Sequence, residues 1–131
     1  MTGETGLSKL IRNMRPGLNT GDYVFCCVDS SERASALDSL GSFRENEGVT
    51  VILPKSKADD LGLPYPAAFA WITLTVHSSL EAVGLTAAVS HALAEAGIPC
   101  NVVAAFYHDH LFVPVKDAAR AMDVLRRMVV S

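Results

Sequence analysis

The sequence has no C-x-x-C motif and only three cysteines, Cys26, Cys27 and Cys100. Two of them are adjacent, so in a strand their side chains point to opposite faces and cannot share a simple site. A metal ribbon or disulfide framework is thereby disfavoured, and buried, reduced thiols of a cytosolic protein are expected. No apolar run approaches the ~20 residues of a membrane span, and no apolar signal core opens the chain. A soluble, cytoplasmic protein with no membrane partner is the expectation. Concentrated positive charge is also missing. The net charge is -3, and Arg12, Arg15, Lys55, Lys57, Arg126 and Arg127 are scattered or sit among acids, which argues against nucleic acid as a partner. No phosphate loop of the P-loop or kinase type appears, and no cofactor is expected.

What is present is apolar material in two periodicities. The chain has 131 residues, 50% hydrophobic and 19% charged, enough for one ordinary domain or for two small modules sharing a core. Its organising stretch runs from Trp71 to Val115. Ile72, Leu74 and Val76 alternate with Trp71, Thr73, Thr75 and His77, the pattern of a strand with one face on a core. Ser78 and Glu81 fit an S-x-x-E capping box. Leu85, Ala88, Val89, Ala92, Leu93 and Ala96 recur at helical spacing up to Gly97, a suitable residue just past a helix end. A second strand, a polar hairpin at Tyr107 to His110 and a third strand follow.

Ahead of this stretch, Leu7, Leu10, Ile11 and Met14 suggest one or two helical turns stopped by Pro16 and Gly17. GDYVFCCVD reads as a strand buried on both faces. Ala34, Leu37 and Leu40 mark a short helix, Ser42 to Glu47 a polar strand, VTVILP a strand, and Lys55 to Leu61 a short helix before Gly62. The final helix, Lys116 to Met128, carries Ala118, Ala121, Met122, Leu125 and Met128 on its core face. YVFCCVDSS resembles WITLTVHSS, and ILPKSKAD resembles FVPVKDAA, so the order strand, helix, strand, strand, helix is written twice. Two modules, 1–66 and 67–131, are expected. Only three residues follow the last helix, too few for the closing strand of a split β-α-β fold. That strand must come from the other repeat, from Pro16 to Thr20, or from a second chain, which makes interleaved halves and a homodimer plausible.

GDYVFCCVD, EGVTVILP, the stretch WITLTVHSSLEAVGLTAAVSHALAEAGIPCNVVAAFYHDHLFVP and the KDAARAMDVL helix together resemble the ACT-domain superfamily, in particular bacterial ACT-like proteins related to the paired ACT domains of aspartate kinases. The resemblance covers about Leu18 to Leu125. It implies an α+β, ferredoxin-like fold of two tandem or interleaved β-α-β-β-α units with antiparallel sheets covered by helices. It also implies binding of an amino acid or similar small metabolite at a module or subunit interface, with no catalysis. In ACT modules an acidic residue and a glycine in the first strand-to-helix loop help hold the ligand. Here the loop offers His77, Ser78, Ser79, Glu81, Val83 and Gly84. Helix-start amides suit a ligand carboxylate and Glu81 an amino group, whereas plain helix capping explains Ser78 and Glu81 equally well. Asn101 faces that loop in the ACT arrangement.

His108, Asp109 and His110 are the sharpest chemical temptation. Two imidazoles and a carboxylate can hold zinc or move protons, which keeps a small metal-dependent enzyme open as an alternative. Yet no further ligand has a spacing that guarantees convergence, so the preferred reading is a polar turn lining the ligand cleft, with no metal. Trp71 is expected to serve packing or a dimer surface. A ligand-free dimerisation module is the third reading.

Overall fold

The structure is a computed structural model and describes residues 6–76 and 84–130. The chain divides into two compact units: an inserted unit, Thr20–Phe69, and a split unit formed by Met1–Asn19 with Ala70–Ser131. Each has the ferredoxin-like α+β character expected, with antiparallel strands backed by helices.

In the inserted unit the order is β2 (Tyr23–Val28), α2 (Ser31–Ala36), β3 (Gly41–Glu45), β4 (Gly48–Pro54) and α3 (Lys55–Asp60). The strands lie β3-β4-β2. Val24, Cys26, Val28, Val49, Val51 and Leu53 meet Ala34, Leu37 and Ala58 in its core. The Ser30 side chain accepts the Arg33 amide at 3.1 Å and caps α2. α2 stops at Ala36, so Leu40, expected on its core face, is exposed. Burial of both faces of β2 is also corrected. Val24, Cys26 and Val28 are buried, Tyr23 and Phe25 half-buried, and Cys27 is exposed, because the helices cover one face of an antiparallel sheet and leave the other open. Buried thiols are therefore found at Cys26 alone, with Cys100 partly buried.

The split unit contains α1 (Gly6–Asn13), β1 (Arg15–Leu18), β5 (Ala68–Thr75, from Ala70 on), α4 (Leu85–Glu95), β6 (Asn101–Ala104), β7 (Asp109–Pro114) and α5 (Ala118–Val130). A single 3-10 turn, Val115–Asp117, precedes α5, which begins two residues later than expected. The strands lie β1-β5-β7-β6. Of the sources considered for the missing strand, the segment after α1 supplies it. β1 runs antiparallel to β5 with Arg15 opposite Thr75 and Leu18 opposite Ile72. Ile72, Leu74, Leu93, Leu111, Val113 and Leu125 form a core almost wholly shielded from solvent. Each such side chain contributes roughly 1.5–3 kcal/mol relative to exposure. Met14 is fully buried there, and Leu7 and Ile11 pack against the same core, as the apolar spacing of α1 requires. Buried Asp117 bonds Arg120 at 2.9 Å, and Arg120 donates to the Ala96 carbonyl at 2.9 Å, fastening the end of α4 to the start of α5.

α4 starts later than the capping box implied. Its N-cap is Gly84, with φ of 97° and no side-chain cap. The left-handed backbone at Gly84 suits glycine, and the Ser78 and Glu81 capping pair lies outside the described residues. A β-carbon there would lie 3.2 Å from Leu7 Cδ2, so glycine also lets α1 come close.

Candidate functional site

β5 positions the polar groups of the split unit by simple alternation. Ile72, Leu74 and Val76 point to the core, and Trp71, Thr73 and Thr75 occupy the other face, all half-buried. On that face a hydrogen-bonded chain runs from Asn19, just past β1, across β5 to β7. Asn19 Nδ2 donates to Thr73 Oγ1 at 2.9 Å and to the Trp71 carbonyl at 3.2 Å. Thr73 Oγ1 lies 3.2 Å from His110 Nδ1, which accepts from Trp71 Nε1 at 3.0 Å. An indole nitrogen can only donate, so His110 Nδ1 carries no proton and the neutral ring is protonated at Nε2. Trp71 also stacks nearly parallel on Phe112, with centroids 6.5 Å apart. Partial burial pushes the His110 pKa down, the His108 ring adds to this, and Asp109 opposes it.

His108 closes the hairpin through its carbonyl, which accepts the Ala105 amide at 3.0 Å. Its ring lies 6.5 Å from that of His110 in an edge-on arrangement, and its Nδ1 is buried without a hydrogen-bond partner among the described residues. Among the described residues no group of three or more His, Cys, Asp or Glu could hold a metal ion.

A second feature lies where β5 ends. A cavity of about 390 Å³ is lined by Gly6, Lys9, Leu10 and Asn13 of α1, Arg15 of β1, and Thr75 and Val76. The Arg15 guanidinium donates from Nη1 to the carbonyls of Met14 (3.1 Å) and Arg12 (3.4 Å), at the end of α1. Val76, in the wall of this cavity, immediately precedes the loop singled out in the sequence. Gly84, at the far end of that loop, packs on Leu7 of the same helix.

Of the residues singled out in the sequence, His77, Ser78, Ser79, Glu81 and Val83 lie outside the described residues. His108, Asp109 and His110 are brought together at the hairpin. Asn101 is exposed at the opposite end of β6, paired with Phe112, whereas Asp109 pairs with Ala104. Three strand positions, about 10 Å, separate Asn101 from the hairpin. Lys9, Asn13, Arg15, Asn19 and Thr73 were not singled out as site residues. The shortfall of one strand in the second repeat was the signal that could have drawn attention to the segment before Thr20.

Two ACT domain family models match the chain, one over residues 2–70 and one over 68–127. The chain belongs to the ACT-domain family. A Vibrio cholerae protein of unknown function, described as a possible transport protein, is 47% identical, with 94% of this chain and 95% of that one covered and a TM-score of 0.86. The regulatory subunit of aspartate kinase from Thermus thermophilus, in a ligand-free form, has a TM-score of 0.65 at 9% identity, covering 86% of this chain and 95% of its own. Escherichia coli aspartokinase III, solved with aspartate and ADP, has a TM-score of 0.66 at 12% identity, covering 93% of this chain and 34% of its own. These last two show likeness of fold. No curated protein matches the chain. No helix among the described residues is long and apolar enough to cross a membrane.

Proposed function

We propose that this protein is a non-catalytic regulatory ACT module of the cytoplasm that binds an amino acid or a similar small metabolite and acts as a homodimer. Its two sequence repeats, 1–66 and 67–131, are read as two ACT copies, with the first nineteen residues lent to the compact body of the second. The observation that carries the reading is the concave surface at the end of β5, directly ahead of the loop that holds ligands in ACT modules. His77, Ser78, Ser79, Glu81, Val83 and Gly84 are the proposed loop contacts. Asn101 and the hairpin residues His108, Asp109 and His110 are proposed as further contacts. Differential affinity for two packings of the modules would convert binding into a signal.

A thermal-shift screen against the common amino acids and divalent metals tests this. At a hundredfold excess over its Kd, a ligand stabilises by about 2.7 kcal/mol, a shift of several degrees in a domain of this size. A selective response to one amino acid, weakened by Glu81→Ala and Asn101→Ala in a protein that stays folded, is expected. Stabilisation by zinc alone, lost in His110→Ala, would instead support the hairpin as a metal site, and silence throughout would leave a dimerisation module. Light scattering checks the homodimer.

A further inference from the structure

The cavity under α1 is lined by two cations and, among the described residues, by no carboxylate. Lys9 has no hydrogen-bond or ion-pair partner among them. Among the described residues Arg15 bonds backbone carbonyls alone, and both bonds leave from Nη1. The guanidinium is thus held in place while its Nη2 and Nε edge keeps the two parallel donors that match a carboxylate. Two like charges lining one small cavity repel each other unless an anion lies between them. Asn13 and Thr75 offer further hydrogen bonds, Leu10 and Val76 give an apolar wall, and about 390 Å³ lies in the usual range for small-molecule sites.

We propose that this cavity binds the carboxylate of a small organic acid, with Lys9 supplying charge and Arg15 the two-pronged contact. The idea deepens the sensor reading and rests on it for the ligand being a metabolite. The carboxylate can belong to an amino acid or to an acid without an ammonium group.

Calorimetric titration of the full chain with the twenty amino acids, succinate and succinamide separates these cases. At least one carboxylate should bind and neutral succinamide should not. Lys9→Glu, at an exposed side chain with no partner among the described residues, should weaken binding at least tenfold, about 1.4 kcal/mol, without changing the circular dichroism. Arg15→Gln should do likewise, with partial recovery in Arg15→Lys. Binding of an amino acid but not of succinate assigns the first source, and succinate binding assigns the second and removes the amino-acid requirement of the sensor reading. Carboxylate binding untouched by both Lys9→Glu and Arg15→Gln would overturn the cavity proposal while leaving that reading intact. Absence of binding by every carboxylate, or equal binding of succinamide, would also overturn it.

Discussion

In the inserted unit the first helix, α2, has six residues and buries Ala34, with Leu37 buried just beyond its end. The corresponding helix of the split unit, α4, has eleven and buries Leu85, Val89 and Leu93. The split unit also gains α1 and β1. Its cavity is cationic, whereas the groove of the inserted unit, lined by Ser31, Ser35, Asp38, Ser39, Ser42 and Arg44 among others, carries both signs of charge. One repeated pattern has thus been elaborated in one copy only. The elaboration consists of chain that covers the core and, at its margin, forms a concave surface.

The strongest way to sharpen this contrast is to hollow each core in turn. Leu93 and Leu53 are both fully excluded from solvent, so Leu93→Ala and Leu53→Ala should each cost roughly 2–5 kcal/mol in urea denaturation. Amide exchange should quicken first in the split unit for the former and in the inserted unit for the latter. A uniform loss of protection in both variants would erase the distinction.

Gly48 tests the inserted unit at a single backbone position. Its φ is 153°, and a β-carbon would lie 2.7 Å from Cys27 Sγ and 2.8 Å from the Val28 carbonyl. Gly48→Ala should therefore destabilise by on the order of 1–3 kcal/mol, seen as a lower thermal midpoint. A midpoint unchanged from wild type would mean that the β3–β4 turn relaxes freely.

A smaller effect, confined to the split unit, should follow pH. The His110 pKa is lowered in the fold from 6.5. The unfolded chain therefore takes up this proton first, and the stability associated with neutral His110 is present above pH 6.5 and lost as pH falls through the lower folded value. Denaturation midpoints of wild type and His110→Gln should converge as pH drops below that point, and a gap that widens instead would contradict the neutral assignment. The smallest effect is expected at the exposed His91–Glu95 contact of 3.3 Å on α4. Glu95→Ala should change stability by less than about 0.5 kcal/mol, within error in the same assay.

The element order was legible because the core faces are written in clean periods: 72 and 74 on β5 with 76 just beyond it, 85, 89 and 93 on α4, and 121, 122 and 125 on α5 are all buried. Boundaries were less legible. Helix α4 begins at Leu85 behind the N-cap Gly84, and α5 begins at Ala118 rather than at Lys116. The outer face of β2 misled because Phe25 and Cys27 are apolar without being fully covered. In the site, the histidine cluster was visible because its members adjoin in sequence. The links from Asn19 to Thr73 and from Trp71 to His110 join residues 54 and 39 positions apart, and nothing local announces them. The Lys9 and Arg15 cavity was hidden for the same reason, since pairing of β1 with β5 is a tertiary event.

The bond from Trp71 to His110 gives the molecule an optical property. Trp71 is the chain's sole indole, so all tryptophan emission comes from one fluorophore whose N–H is committed to one imidazole. Protonation, displacement or ligation of that ring would register as a change in colour or yield of a single, unambiguous signal. The protein therefore carries an intrinsic gauge of its own β5–β7 face, readable without a label.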